Sequence, residues 1–223
     1  MQRAELAKYI DHTILGPTAT EEGVKKLCAE AVQAEVAAVC VNPCHAKLAR
    51  ECLGDSAVKL CVVIGFPHGM EMDEVKAFEA KKAIAVGVDE LDMVINVAAL
   101  KQGDFASVEN DIRAVCTVAE TAPRPVSVKV ILEMAYLTEE EKVAGAILAK
   151  AAGAHYVKTS TGFGPGGATI DDVALLRRTV GDEMGVKAAG GIRDAETALA
   201  MIEAGADRIG ASRTLAILDG LDA

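Results

Sequence analysis

The 223-residue sequence lacks the features that mark several classes of protein. No run approaches the roughly 18 consecutive apolar residues of a membrane-spanning helix, and the opening MQRAELAKYIDHT lacks the apolar core of a signal peptide. Basic residues are in the minority, because 23 Lys and Arg against 33 Asp and Glu give a net charge of −10. Nucleic acids and anionic membranes attract clustered cations instead. We therefore expect a cytoplasmic, metabolite-handling protein with no nucleic-acid or membrane partner.

Cysteine is present, but its spacing does not indicate a metal site. We expect the six cysteines to be small buried thiols of a reducing compartment. The stretch CVNPCH, from Cys40 to His45, offers ligand types for a metal. A structural zinc site needs a second ligand pair at a comparable spacing, and none follows. We expect neither a metal nor another cofactor.

One pattern recurs along the chain: a helical segment, a small-residue hinge, and a short apolar run that ends in polar residues. Examples are QAEVAAVCVNP, VGVDELDMVIN, AGAHYVKTSTG and AGADRIGASR. Helix starts are indicated by N-cap residues with acids in the first turn, as at Thr138 and Asp194. The pattern predicts eight strands, each followed by a helical segment, at residues 9–14, 37–41, 59–65, 90–95, 126–132, 155–160, 186–190 and 207–211.

Strict alternation of strand and helix predicts a mainly parallel sheet. Eight repeats over this length favour a closed (β/α)8 barrel, the TIM barrel, as a single α/β domain over residues 1–223. The short helical piece before the first strand would cap the bottom of the barrel. A Rossmann or flavodoxin-like sheet is the alternative, but no G-x-G-x-x-G opens a helix after a strand. Length alone would also allow two small domains.

Catalytic residues of such a barrel lie at the carboxyl ends of its strands. Three consecutive predicted strands each carry a lysine there: Lys129, Lys158 and Lys187. Lysine is seldom fully buried, so each needs an exit to solvent, a carboxylate partner or a function. Carboxylates are expected at the same mouth, from Asp11, Asp92 and Glu133. Together these groups favour a functional site, although an ion pair of Lys129 with Glu133 or an aspartate is an alternative.

A pair of lysines at this place indicates amine chemistry. An ordinary ammonium has a pKa near 10.4, so only about one molecule in 2,500 has a free amine at pH 7. Burial beside a second cation lowers such a pKa and frees one amine to form a Schiff base with a carbonyl. Alternation along the strands lets Lys158 and Lys187 both point into the mouth. Lys129 meets the same spacing and is retained as a supporting residue, and Asp92 would move protons.

Glycines after the seventh and eighth predicted strands indicate an anion site. Gly190 and Gly191 end one strand, and Gly210 is followed by Ser212 at the end of the next. The loops after these strands are the recurrent phosphate site of this barrel. The alternative is that these glycines are only turn residues. Arg193 and Arg213 flank the loops and either add charge or face solvent.

The motifs IDHTIL, VCVNP, VIGFPHG, ELDMVINV, VKVILE, YVKTSTGF, VKAAGGIR and RIGAS occur in an order that resembles class I deoxyribose-phosphate aldolases. The resemblance covers nearly the whole chain. It implies a (β/α)8 barrel that reversibly cleaves 2-deoxy-D-ribose 5-phosphate into D-glyceraldehyde 3-phosphate and acetaldehyde without a metal, in deoxyribonucleoside catabolism. It also implies a homodimer or a larger homo-oligomer.

The same resemblance implies roles for individual residues. Lys158 of VKTSTG resembles the Schiff-base lysine, Lys187 of VKAAGG the second lysine, and Asp92 of ELDMV the proton-transfer carboxylate. Asp11 would support Lys187. The implied substrate contacts are Gly190, Gly191, Gly210 and Ser212 for the phosphate and Thr161 and Asn42 for the sugar.

Two positions depart from the family pattern. Arg213 stands where some relatives have a second serine, and the sequence ends in LDGLDA without the C-terminal tyrosine that certain members use. Two other functions are consistent with the residues alone. One is another phosphate-binding barrel lyase or isomerase, and the other is a non-catalytic barrel that senses a sugar phosphate.

Overall fold

The computed structural model describes residues 1–221, so the end of the tail, Asp222 and Ala223, lies outside the described residues. Eight parallel strands pair in chain order into a closed barrel, which β1 and β8 complete by pairing Ile10 with Ile209. The strands are β1 (Ile10–Ile14), β2 (Ala38–Val41), β3 (Lys59–Ile64), β4 (Glu90–Val94), β5 (Ser127–Ile131), β6 (Tyr156–Lys158), β7 (Gly185–Ala189) and β8 (Arg208–Ala211). The predicted barrel is confirmed, and each strand lies within two residues of its predicted ends.

Helix α1 precedes the first strand, and the other helices lie after the strands. They are α1 (Arg3–Ala7), α2 (Glu21–Ala34), α3 (Ala46–Leu53), α4 (Asp73–Val86), α5 (Val97–Lys101), α6 (Phe105–Glu120), α7 (Glu139–Ala151), α8 (Ile170–Val180), α9 (Ala195–Glu203) and α10 (Thr214–Asp219). Thr138 caps α7 by accepting a hydrogen bond from the Glu141 amide, and Asp194 caps α9 in the same way through Thr197. Within residues 1–221, none of these helices is long and apolar enough to cross a membrane.

Helix α1 covers the bottom of the barrel, as predicted. Leu6 and Ala7 are buried in the main core. The Ala7 carbonyl accepts a hydrogen bond of 3.2 Å from the amide of Ala37, the residue that precedes β2. Helix α1 therefore lies at the amino ends of the strands, opposite the end where catalytic residues are expected.

The interior of the barrel has an apolar side and a charged side. Strands β2 and β3 supply the apolar side with Ala38, Cys40, Cys61 and Val63, which form a small separate core. The intervening residues, such as Val39 and Val62, face outward into the main core beneath the helices. This alternation places charged residues of the other six strands on the remaining inner wall.

Candidate active site

Seven charged side chains meet inside the barrel, contributed by six of its eight strands. This charge cluster contains four basic residues, Lys129, Lys158, Lys187 and Arg208, and three acidic residues, Asp11, Glu90 and Asp92; all are less than a tenth exposed. Lys158 is paired directly with Lys187, and Asp92 with Lys129. Because paired residues of parallel strands project from the same face, the sheet register itself brings these groups together.

Asp92 lies at the centre of the charge cluster. Its Oδ2 accepts hydrogen bonds of 2.7 Å from both Lys158 Nζ and Lys187 Nζ, and its Oδ1 accepts from Lys129 Nζ at 2.8 Å and from Cys61 Sγ at 3.0 Å. Burial alone would raise the pKa of Asp92, but the three ammonium groups outweigh burial and hold this pKa well below its ordinary value. Asp92 is therefore an ionised carboxylate that contacts both predicted catalytic lysines.

Lys187 is held between two carboxylates. Its Nζ donates a short hydrogen bond to Asp11 and one of 2.7 Å to Asp92. Burial lowers the pKa of Lys187, but these two carboxylates outweigh burial and raise it above its ordinary value. Asp11 also accepts from Arg208 Nη1 at 2.6 Å, and although burial raises its pKa, the neighbouring cations hold that pKa below its usual range. Lys187 is therefore a stable ammonium, and Asp11 contacts it as expected of a supporting residue.

Lys158 has different surroundings from the other two lysines. Within residues 1–221 its Nζ has a single hydrogen-bond acceptor, Asp92, whereas Lys129 Nζ contacts Asp92, Glu90 at 2.5 Å and Cys61 at 3.4 Å. Lys158 also lines a cavity of about 370 Å³ at the carboxyl end of the barrel, which Lys129 and Lys187 do not reach. Lys158 is therefore the lysine of the charge cluster that a ligand in this cavity can contact. We call this space the substrate cavity.

The loops after β7 and β8 form another wall of the substrate cavity. The predicted phosphate residues Gly190, Gly191, Gly210 and Ser212 line it, together with Arg193 and Arg213. Gly190 and Gly191 have φ angles of +90° and +83°, a region that side chains with a Cβ rarely adopt. A Cβ on Gly190 would also lie 3.0 Å from Gly167 Cα. Glycine here brings the main chain to the cavity without an intervening side chain.

The two residues predicted near the sugar occupy different places. Thr161 lines the substrate cavity and is 7% exposed. Asn42 is not among the lining residues, and its Nδ2 donates a 3.1 Å hydrogen bond to the carbonyl of Leu15, which does line the cavity. Asn42 thus supports the cavity wall, and its contact with the sugar stays a prediction.

Comparison with known proteins decides the family. The family model described as DeoC/LacD family aldolase matches residues 5–220. The chain belongs to this family. A curated deoxyribose-phosphate aldolase of Thermococcus gammatolerans is 59% identical over 218 residues, which cover 97% of this chain and 96% of the relative. One of Clostridium perfringens is 54% identical over 220 residues, 99% of this chain and 97% of the relative.

A solved structure agrees with this assignment. The tetrameric deoxyribose phosphate aldolase from Aeropyrum pernix has a TM-score of 0.91 and 34% identity, and the match covers 100% of this chain and 93% of that one. The resemblance seen in the sequence motifs is therefore confirmed at the level of the whole chain.

In this DeoC/LacD aldolase, the alternative pairing of Lys129 with Glu133 is wrong, and its pairing with an aspartate is right. Lys129 contacts Asp92 and Glu90. Burial lowers the pKa of Lys129, but these and other negative neighbours outweigh burial and raise the pKa well above its ordinary value. Glu133 lies beyond the end of β5 and accepts hydrogen bonds from Thr161 instead. Lys129, within the strand, points to the inner wall.

Two members of the charge cluster escaped the sequence analysis. Arg208 donates to Asp11 and to both carboxylate oxygens of Glu90, at 3.2 Å each. A signal for Glu90 was present, because it lies two residues before Asp92 and the side-chain period of a strand is two. Arg208 likewise lies two residues before Gly210, a predicted phosphate residue on β8. Both residues begin their strands, so they lie below the mouth where functional residues were sought.

Three possible metal ligands of this aldolase converge within the described residues: Cys40, Cys61 and Asp92, with ligand atoms within 4.8 Å of one another. The Asp92 oxygens are already bonded to three ammonium groups, which would repel a divalent cation. The donor set therefore suits a charge network better than a metal. The expectation that all six cysteines are buried is wrong for two of them: Cys40 is buried, but Cys44 and Cys52 are exposed.

Proposed function

We propose that this protein is a class I deoxyribose-phosphate aldolase that reversibly cleaves 2-deoxy-D-ribose 5-phosphate into D-glyceraldehyde 3-phosphate and acetaldehyde. One observation carries the proposal: Lys158, alone among the three lysines of the charge cluster, lines a cavity that also reaches the glycine loops after β7 and β8. A sugar phosphate needs both contacts at once, an amine at its aldehyde end and an anion site at its other end.

The reaction begins with attack of the Lys158 amine on the aldehyde carbon of the open-chain sugar. Loss of water from the resulting carbinolamine gives an iminium ion. The other three cations of the charge cluster, Lys129, Lys187 and Arg208, are matched in number by its three carboxylates. Lys187 stays an ammonium and places a positive charge beside the Lys158 amine.

Cleavage follows from electron withdrawal by the iminium. The bond between the second and third carbons breaks, its electron pair neutralises the iminium to an enamine, and the proton of the hydroxyl on the third carbon passes to Asp92, directly or through a water. Because a positive charge at the Lys158 nitrogen lowers the pKa of Asp92, the loss of that charge makes Asp92 more basic as the proton arrives. The enamine then takes a proton on carbon, and water hydrolyses the iminium to acetaldehyde and free Lys158.

The phosphate is proposed to bind to the loops after β7 and β8, at Gly190, Gly191, Gly210 and Ser212. These residues line the same cavity as Lys158. The reaction as written balances without a metal, a redox cofactor or a second substrate. We place it in deoxyribonucleoside catabolism, as the step that degrades the sugar phosphate.

Two further proposals concern the state of the protein. We place it in the cytoplasm, where its six free cysteines stay reduced. We also propose a homo-oligomer of two or more copies, because the Aeropyrum pernix relative is tetrameric and Met72, Val75 and Phe78 expose apolar side chains at the start of α4. Light scattering after gel filtration tests this proposal, and a monomer at micromolar concentration would contradict it.

Trapping of the covalent intermediate tests the catalytic proposal. Borohydride reduction in the presence of acetaldehyde is expected to leave a two-carbon adduct on Lys158, located by peptide mass mapping. An adduct on Lys129 or Lys187, or none, would reject the assignment. A panel of sugar phosphates, assayed for acetaldehyde release, separates this activity from another barrel lyase or isomerase. Binding without turnover would instead indicate a sensor.

A further inference from the structure

A second cavity adjoins the substrate cavity, on the side of β4 and β5. It has a volume of about 340 Å³ and largely apolar walls that include Val94, Val97 and Tyr136. Thr161 and Phe163 line both cavities. These two residues therefore form the partition between the two spaces, and whatever fixes them fixes the shape of the substrate cavity.

Glu133 lies beneath this partition and lines the second cavity. It has a left-handed backbone conformation, with φ +54° and ψ +60°, at the start of the short 3-10 helix Met134–Tyr136. For a residue with a Cβ this conformation costs about 1–2 kcal/mol, so the contacts around Glu133 must compensate for it. The chain here takes a strained turn that directs the Glu133 side chain inward.

The Glu133 side chain is buried, at 3% exposure, and within residues 1–221 no basic group lies within 4.0 Å of it. Its carboxylate accepts three hydrogen bonds from one residue: two of 3.3 Å from the Thr161 amide, and a short one from the Thr161 hydroxyl. A buried carboxylate is costly unless it is hydrogen-bonded, so Thr161 is held firmly by it.

The contacts continue from Thr161 to Phe163. The Thr161 hydroxyl donates a hydrogen bond to Glu133 and accepts one of 3.0 Å from the Phe163 amide. The ring of Phe163 then packs edge-on against Phe66, with centroids 5.4 Å apart. Gly164 completes the fit, because a Cβ there would lie 3.0 Å from the carboxyl carbon of Glu133. One carboxylate thus orders the partition over residues 161–164.

The same segment is tied to the catalytic strand. Leu132 donates its amide to the Lys158 carbonyl and Met134 donates to the Thr159 carbonyl, each at 3.0 Å, on either side of Glu133. We propose that Glu133 is a positioning residue for the aldol reaction: it fixes Thr161, and through it Phe163, at a set distance from Lys158. This inference rests on the proposed function, because it assigns Thr161 to the wall against which the sugar phosphate binds.

The chemistry of the contact defines the variant that tests it. Thr161 presents two donors to Glu133, its amide and its hydroxyl. Glutamine keeps the shape of glutamate but carries no charge, so hydrogen bonds to its oxygen are weaker than those to a carboxylate. Its NH₂ group also replaces one of the two oxygens that accept from the Thr161 amide, so a donor would face a donor there. Glu133→Gln is therefore expected to release the partition while the barrel stays folded. Thr161→Val removes the hydroxyl from the other side of the same bond.

We would measure a double-mutant cycle with these two substitutions, using cleavage of deoxyribose 5-phosphate. Each single variant is expected to lose about 10- to 100-fold in kcat/KM, because a displacement of about 1 Å in a positioning group has an effect of this size. The double variant is expected to be no worse than the poorer single variant, because Glu133 acts through Thr161. Borohydride trapping of acetaldehyde on Lys158 should stay within about 2-fold of wild type, since this two-carbon substrate needs the amine alone.

Glu35→Gln is a matched control, because Glu35 is also a left-handed glutamate, with φ +51°, but is exposed at the end of α2. It should leave every rate unchanged. Multiplicative losses in the double variant, or equal losses in cleavage and in trapping, would overturn the inference and indicate general destabilisation. If the wild type cleaves deoxyribose 5-phosphate and Glu133→Gln has the same kcat/KM, the positioning role of Glu133 is rejected and the proposed function stands. Absence of cleavage by the wild type would reject the proposed function instead.

Discussion

Lys76 and Lys158 are both buried in this barrel, but they differ in the number of hydrogen bonds that their side-chain nitrogens donate. Lys76, on α4, donates to the carbonyls of Gly69 and Val94 at 2.9 Å each and to Asp111 Oδ2 at 2.7 Å. An ammonium has three N–H groups, so Lys76 has a partner for each. Within the described chain, Lys158 has one acceptor, and it faces a cavity.

The difference shows that burial alone does not distinguish the lysine proposed to react from a structural one. A lysine with three filled hydrogen bonds gains most from its charged form and has no open direction for a substrate. A lysine with one hydrogen bond and an adjoining cavity has an open direction from which a substrate can reach its nitrogen. Vacant hydrogen-bonding capacity beside a cavity is the more useful criterion.

Activity should separate the two lysines most clearly. Lys158→Met removes the nucleophile and is expected to lower acetaldehyde release by at least roughly 10³-fold. Lys76→Met, assayed per folded molecule at low temperature, should stay within about 3-fold of wild type. The measurement is a coupled assay for acetaldehyde with deoxyribose 5-phosphate. Similar losses in both variants would end the distinction between the two sites.

Stability should show the reverse order. Lys76→Met leaves Asp111 buried without its cation and is expected to cost about 3–5 kcal/mol in the free energy of unfolding, measured in urea. Adding Asp111→Asn removes the second charge and keeps an acceptor for the Asn96 amide, so we expect it to restore most of the loss. A double variant as unstable as Lys76→Met would show that the ion pair is not the cause.

Acid should affect the two regions with opposite sign. The folded pKa values of Asp11, Glu90 and Asp92 lie below their ordinary values, so their contribution to stability is complete above about pH 4 and is lost as the pH falls below it. Burial raises the pKa of Asp111, so its contribution instead decreases as the pH rises from about 4 through that raised pKa.

Because the three carboxylates outnumber Asp111, we expect a net loss of about 3 kcal/mol between pH 6 and pH 3, or roughly 6–12 °C in Tm. The loss should be slightly larger in Asp111→Asn, which removes the opposing contribution. Thermal unfolding at both pH values tests this, and equal Tm values for the wild type would contradict the ionised state of the charge cluster.

The smallest effect is expected for Arg213, which, unlike the buried Lys158 and Lys76, is exposed at the edge of the substrate cavity. Water screens such a charge, so Arg213→Ser should raise the KM for deoxyribose 5-phosphate only about 2- to 5-fold. Trapping of acetaldehyde, which has no phosphate, should not change. A change in trapping would place Arg213 nearer the reaction than its exposure suggests.

The sequence was sufficient for the fold because both of its signals are local. Period-two alternation and helix caps predict all eight strands. The rule for strand ends then includes Lys158, Lys187 and Asp92 in a longer set of residues at the mouth, and the family resemblance implies which lysine forms the Schiff base. The pairing of Lys76 with Asp111 and that of Lys129 with Glu90 were not predicted, because each depends on a contact between residues 35 or more positions apart. The turn at Glu133 was also missed, since no local pattern indicates a left-handed glutamate.

The charge cluster also links the two ends of the polypeptide. Asp11 accepts hydrogen bonds from Lys187 and Arg208, which lie 176 and 197 residues further along the chain. During synthesis, the acid on β1 leaves the ribosome long before Lys187 and Arg208, and the only earlier cation of the charge cluster near it is Lys129, at 3.7 Å. A chain that stops before β7 therefore lacks both side chains that donate hydrogen bonds to this carboxylate. The charge cluster is complete only when the barrel has closed.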